Sequence, residues 1–269
     1  MAIHSSGPIS FQDLVDEFNT GKPISLSQMY AGAGYVPTAN AGVPINGPIS
    51  LGDFYGATAA YVLNYNITAD MLNFNSTTIL SNSSWNWILP VVLTINISSG
   101  IVVSGDNVNT PAFLINALPS GSQVILNNNG YIIGMGGRGG SYPAQPGEKG
   151  GDAIQVSSGV AVSIKNLGTI AGGGGGGAGV GISRTSNGGG GGQSGRVNAS
   201  GGSAASGRTG GTGTFTNPGS PGGNGAGTGG TWGNAGSNGT AAGGAGGKAV
   251  VGNSYITWIA VGTRNGAVT

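Results

Sequence analysis

The sequence predicts a mostly β and irregular chain: an N-terminal region of short helices and strands, then a sandwich of polyglycine II helices on a base of β-strands. Three observations lead there. The 269 residues include 59 Gly, of which 44 fall between residues 134 and 247. The first 57 residues use one phrase three times, and residues 59–133 are built of β-branched and aromatic runs separated by Asn, Ser and Gly.

The repeated phrase comes first in the chain. It reads GPISFQDL at 7–14, GKPISLSQM at 21–29 and GPISLGDF at 47–54. In each copy a Ser stands where an N-cap belongs, an Asp or Gln follows three residues later to close a capping box, and the preceding Ile can act as a hydrophobic staple. Each phrase should therefore start a helix. The first can run through Val15 and Phe18, whereas Gly32 and Gly56 stop the others after one or two turns. Helices this short need a surface to pack on.

The strand-rich segment that follows contains Tyr61 to Ile67, Val91 to Ile97, Ile101 to Ser104 and Val124 to Leu126. A second repeat then leads into the glycine region. Asn128, Gly130, Ile132 and Gly134 align with Asn166, Gly168, Ile170 and Gly172. Strand, turn, strand and glycine run thus occur twice. With Ala153 to Val156 and Val160 to Ile164, this places the glycine runs on a common β base, to which Tyr255 to Val261 returns. The expected division is 1–133, 134–247 and 248–269.

Glycine this abundant would ordinarily read as disorder, since it brings no side chain to bury and loses the most backbone entropy. A three-residue repeat offers an ordered alternative. Helices of the polyproline II type point N–H and C=O outward, and where the facing residues are Gly, neighbours can approach closely enough to exchange those bonds. Gly227, Gly230, Gly233, Gly236 and Gly239 keep that spacing, as do Gly207, Gly210 and Gly213, and Gly219, Gly222 and Gly225. The unbroken runs Gly172 to Gly177 and Gly188 to Gly192 suit interior helices. Collagen would need an uninterrupted register and far more than 12 Pro.

Between the glycine runs lie unlike segments at 141–146, 182–186, 196–199, 203–209 and 214–218 and around Trp232. They hold most of the region's large or charged side chains, the types that anchor interfaces. Tyr142, Arg184, Arg196, Arg208, Phe215 and Trp232 are the contact candidates, with packing an equal alternative for Trp232.

Catalytic chemistry finds little support. There is no Cys and one His, His4, and Asp106 and Asp152 align with no partner carboxylate. The Gly134, Gly136, Gly139 pattern imitates a dinucleotide fingerprint, but no helix is expected after it. No enzyme activity, cofactor or metal is expected. Nine Lys and Arg against eight Asp and Glu make no basic patch for nucleic acid. Residues 1–10 lack the basic and apolar regions of a signal peptide, and Asn86, Pro90, Asn96 and Gly100 interrupt the most apolar window, 85–103.

SGPISFQDLVDEF at 6–18, combined with NLGTIAGGGGGG at 166–177 and the later glycine runs, resembles the distal long-tail-fibre adhesins, or receptor-recognising proteins, of T-even-type bacteriophages. The resemblance runs end to end. It implies a virion protein made in the host cytoplasm and carried at the tip of the long tail fibre. One chain would attach through its N-terminal region to the trimeric distal fibre protein, and the loops between glycine helices would bind a bacterial outer-membrane protein, a porin or transporter, and set host range. The attachment candidates are the apolar positions of the three phrases: Ile9, Phe11 and Leu14; Ile24, Leu26 and Met29; Ile49, Leu51 and Phe54. Three similar helices would let one chain meet three equivalent surfaces. A fibre-assembly chaperone and a polyglycine ice-binding protein are the alternatives.

Overall fold

The computed structural model describes residues 3–20, 25–31, 35–36, 40, 42–83, 85, 90–119, 121–157, 159–182 and 185–269. Helix α1 spans Phe11–Phe18. It starts where the phrase predicts: the Asp13 N–H donates to Ser10 Oγ (3.3 Å) and the Ser10 N–H donates to Asp13 Oδ2 (2.6 Å). The bond from the Ser10 N–H, with a second from the Ser10 hydroxyl to the same oxygen (2.8 Å), holds the Asp13 carboxyl below its ordinary 3.8. In the other two copies the Ser25 N–H donates to Gln28 Oε1 (3.0 Å) and the Ser50 N–H to Asp53 Oδ2 (2.6 Å). Both are single 3₁₀ turns, Leu26–Met29 and Leu51–Phe54, rather than α-helices. Leu14, Phe18, Met29 and Phe54 meet in one small core with Ile3, Ala31, Val36, Val43 and Ala57.

From residue 61 the chain winds into a coil, each turn laying one strand on each of three faces. The first turn holds β1 (Tyr61–Ile67), β2 (Met71–Leu72) and β3 (Phe74–Asn75), then helix α2 (Ser76–Ser81). The second holds β4 (Val91–Ile97), β5 (Val102–Ser104) and β6 (Phe113–Ile115), and the third β7 (Gln123–Asn128), β8 (Tyr131–Ile133) and β9 (Ile154–Val156). The fourth begins with β10 (Ala161–Asn166) and β11 (Thr169–Ala171). A hairpin, β12 (Val180–Ile182) with β13 (Thr185–Asn187), intervenes before the turn is completed by β14 (Val250–Val251). β15 (Ile256–Ala260) and β16 (Thr263–Asn265) open the last turn. The three faces are the parallel sheets β1-β4-β7-β10-β15, β2-β5-β8-β11-β16 and β3-β6-β9-β14.

Like stacks on like along this coil, which is why the sequence repeats. Leu93, Val124 and Val162 form one inward column and Ile95, Leu126 and Ile164 the next. Phe74 lies on Phe113 with ring centroids 4.1 Å apart. Asn128 pairs with Asn166 and Ile132 with Ile170, so the 128–134 and 166–172 repeat is two successive turns in register. The buried Asn128 amide donates to Asn166 Oδ1 (2.8 Å), and Asn166 passes its own amide to the Val261 carbonyl (2.7 Å). The sheets cross the compositional boundary at 133/134: strands β1–β11 and β14–β16 form one body, because strands on a shared face pair whatever lies between them in sequence.

The glycine segments are two excursions from the same corner of the coil. Residues 134–153 leave after β8 and return at β9, and residues 172–249 leave after β11 and return at β14. They run back and forth as extended passes joined by hydrogen bonds whose partner changes with a period of three. In the pass 171–179, Gly173 and Gly176 donate to the Gly151 and Glu148 carbonyls, Gly174 and Gly177 to Gln193 and Gly190, and Gly175 and Ala178 to Asn234 and Ser237. The same pass accepts from Gly134 and Gly137, from Gly227 and Gly230, and from Gly244 and Gly247. Six neighbours surround it. The pass 188–194 is enclosed likewise, and both are buried throughout. Their glycines have negative φ, so conformation does not require Gly. Close approach does: a Cβ on Gly174 would lie 2.7 Å from Gly230 C and 2.8 Å from Gln193 N.

Candidate functional site

The passes alternate in direction, so the segments between them fall at two ends. One end lies beside the coil and the other away from it. Following the chain from Gly134, the turns at 141–146, 203–206, 224–226 and 238–241 and the hairpin strands 180–182 and 185–187 are at the far end, whereas the turns at 195–198, 214–218 and 231–234 come back to the coil.

At the near end Arg196, Phe215 and Trp232 come together. Phe215 meets Tyr131 edge-on (5.3 Å) and Trp232 (5.1 Å), over the buried Val102, Ile133 and Ala171. The indole N–H donates to the Ser194 carbonyl (3.1 Å) and the Trp232 backbone N–H to Gln193 Oε1 (3.2 Å). The Gln193 amide in turn donates to the Phe215 carbonyl (2.9 Å). Arg196 lies over the Phe215 ring (5.3 Å) and pairs with Asp70 of the coil (2.6 Å). These three side chains, one from each near-end turn, fasten those turns to the β-strands.

At the far end Tyr142 and Arg208 stand in the open, Tyr142 with 44 % of its surface exposed. Arg184, the remaining contact candidate, lies outside the described residues. The loops here are bonded to one another. Tyr142 N–H donates to the Ser203 carbonyl and Ser203 N–H to Ser141 Oγ, both at 3.0 Å. Ser206 N–H donates to Ser186 Oγ (2.8 Å), and Asn187 accepts from the Arg208 N–H (3.1 Å) while its amide reaches the Asn224 carbonyl (3.2 Å). Short side chains thus tie four turns into one surface, and among the described residues it presents hydroxyls, amides, the Tyr142 ring and the Arg208 guanidinium. Ser141, Ser186, Asn187 and Ser203 were not among the sequence candidates. Nothing in the spacing singles them out, since their partners belong to other passes.

In the N-terminal region Leu14, Met29 and Phe54 are fully buried, and Ile9, Ile49 and Leu51 are half-buried against that core. Phe11 and Leu26 are exposed, and Ile24 lies outside the described residues.

A family model described as phage tail fibre adhesin Gp38 matches residues 62–269, which takes in the whole coil and every glycine pass. The chain belongs to the Gp38 family of phage tail fibre adhesins. The solved gp37–gp38 adhesin tip complex of the bacteriophage S16 long tail fibre is similar over 98 % of this chain and 100 % of that one, with 30 % identity and a TM-score of 0.66. Among curated proteins none matches significantly. An adhesin of this family is a component of the virion, at the tail fibre tip.

Proposed function

We propose that this adhesin caps a long tail fibre, one chain per tip, held by residues 1–57 on a trimeric distal fibre protein. Its far-end loops bind a bacterial outer-membrane protein, a porin or transporter, and so set host range. The observation that carries the reading is the bonding of four far-end turns into one surface on a stack whose own passes have no freedom to shift. We take that stack to be a polyglycine II sandwich, the arrangement that fits a period-three exchange of backbone bonds. Binding loops are best placed on a rigid scaffold, because less entropy is lost when they meet a partner.

On this reading Tyr142, Arg208 and the loop holding Arg184 face the receptor, while Arg196, Phe215 and Trp232 keep the near-end turns seated. The similar gp37–gp38 complex supports the attachment. The test is to replace residues 141–146 and 203–208 with those of a family member of different host range. Adsorption should follow the transplanted loops. If the chimaera keeps its original hosts, recognition lies elsewhere.

A further inference from the structure

Asn is followed directly by Gly at six places in the chain, 46–47, 129–130, 187–188, 224–225, 238–239 and 265–266. Such a pair carries a reactivity of its own. The Gly backbone nitrogen can attack the Asn side-chain carbonyl carbon, and a following residue with no Cβ does not crowd that approach. The new N–C bond closes a succinimide ring as the Cγ–Nδ2 bond breaks, and the proton of the attacking nitrogen leaves with the amide as ammonia. Water then opens the ring at either carbonyl, to give Asp or, where the chain now runs through Cγ, isoaspartate. The fold controls whether the side chain and the following N–H are free to meet.

Four of the pairs are held. The buried Gly130 N–H donates to Asn128 Oδ1 (3.1 Å). The Gly188 N–H donates to the Arg208 carbonyl (3.0 Å), while the buried Asn187 side chain accepts from the Arg208 N–H and donates to the Asn224 carbonyl. Asn238 Oδ1 accepts from the Gly243 N–H and the Gly239 N–H donates to the Ala241 carbonyl, both at 3.0 Å. Asn265 is half-buried at the end of β16, paired with Ala171. Asn46 and Asn224 are exposed, and among the described residues no hydrogen bond holds either side chain or the N–H of Gly47 or Gly225.

Of the three far-end pairs, therefore, only Asn224–Gly225 is open. It forms the centre of a turn closed by the Ala226 N–H on the Gly223 carbonyl (3.2 Å), with Gly225 at a φ of 81°. The Asn224 carbonyl is also where the Asn187 amide ends, so this turn is one of the four tied into the far-end surface. No charged residue lies between Arg208 and Lys248. We infer that Asn224 is a site of spontaneous deamidation, through which the far-end surface gains a carboxylate at a turn that starts uncharged. The isoaspartate product also adds a backbone carbon beside the carbonyl that receives the Asn187 amide. The modification rests on this geometry alone, and its effect on adsorption rests on the receptor reading above. A carboxylate is costly to bury in a contact made by neutral amides and hydroxyls, so adsorption should fall as Asn224 converts.

The test holds the purified full chain folded in mildly alkaline buffer, samples it over days and cleaves it with trypsin. Residues 209–248 form one fragment, which compares Asn224 with Asn238 in a single peptide, and the fragment 185–196 reports Asn187. Conversion adds about 1 Da and is located by fragmentation. Asn224 should convert at least about tenfold faster than Asn187 or Asn238, whose bonds must open first. In urea the three should convert alike, since only the fold separates them. Equal rates in the folded chain, or no conversion at Asn224, would overturn the inference. Phage aged in the same buffer, and fresh phage carrying Asn224→Asp, should adsorb severalfold more slowly than fresh wild type. Asn224→Gln, whose longer side chain closes the ring far less readily, should hold its own starting rate on ageing. Conversion at Asn224 with unchanged adsorption would remove the functional consequence, and the receptor reading would survive that result if exchanged far-end loops still carry host range.

Discussion

Replacing Gly174 with Ala is the sharpest test of what the glycine stack depends on. The added methyl would meet Gly230 and Gln193 backbone atoms at separations that no folded chain tolerates, so one pass must move. Three bonds rely on the present spacing: Gly174 N–H to Gln193 O (2.8 Å), Gly137 N–H to Gly174 O (2.8 Å) and Gly230 N–H to Gly175 O (2.7 Å). A buried bond is worth about 1 kcal/mol net, and each group left unpaired costs about 1–3 kcal/mol. Ala also restricts the unfolded chain, which offsets about 0.4–1 kcal/mol. The expected net loss is about 3–5 kcal/mol, a large part of the roughly 5–15 kcal/mol of a folded domain. For a body of this size that lowers the Tm by roughly 6–20 °C. Gly52→Ala is the matched control, because the nearest atom to its added methyl, Ser50 Oγ, is 3.6 Å away. Calorimetry on both variants decides the matter. Equal midpoints would show that glycine is dispensable in the central pass and that the packing argument is wrong.

Trp232→Ala should destabilise the chain by about 1–3 kcal/mol through loss of the near-end aromatic cluster. Adsorption at low temperature should stay unchanged; a host-range shift with unchanged stability would instead place Trp232 in recognition. Asn166→Leu removes the shorter of the two bonds from the buried Asn128 amide and takes the side-chain donor from the Val261 carbonyl. It should cost about 2–4 kcal/mol in urea unfolding, and a neutral outcome would mean the Asn column is incidental. Asp70→Asn breaks the exposed pair with Arg196 and should change stability by under about 1 kcal/mol, less still in high salt.

Much of this molecule was legible as sequence wherever the cause is local. The three Ser positions announce helix starts because the capping bonds close within four residues, and Ser10, Ser25 and Ser50 each donate a backbone N–H to the side chain of the predicted partner. The spacing of Gly207, Gly210 and Gly213 announces an extended pass, since every third residue faces the same neighbour, whereas Gly227 to Gly239 keeps that spacing across a reversal at 231–234. The repeat of Asn128 to Gly134 at Asn166 to Gly172 announces two like turns, and stacking makes them pair residue for residue.

What tertiary structure alone decided is which passes touch and which end each loop occupies. A glycine pass has no apolar face to record its partner: Gly173 bonds to Gly151, Gly174 to Gln193 and Gly175 to Asn234, and nothing about three identical residues distinguishes those choices. Loop position follows from the number of reversals before it. Arg196 and Arg208 therefore look alike in sequence, yet one is pinned to Asp70 beside the coil and the other stands at the far surface. Likewise the phrases could name Phe11 and Leu14 as apolar, but only the packed N-terminal core decided that Leu14 is buried and Phe11 exposed.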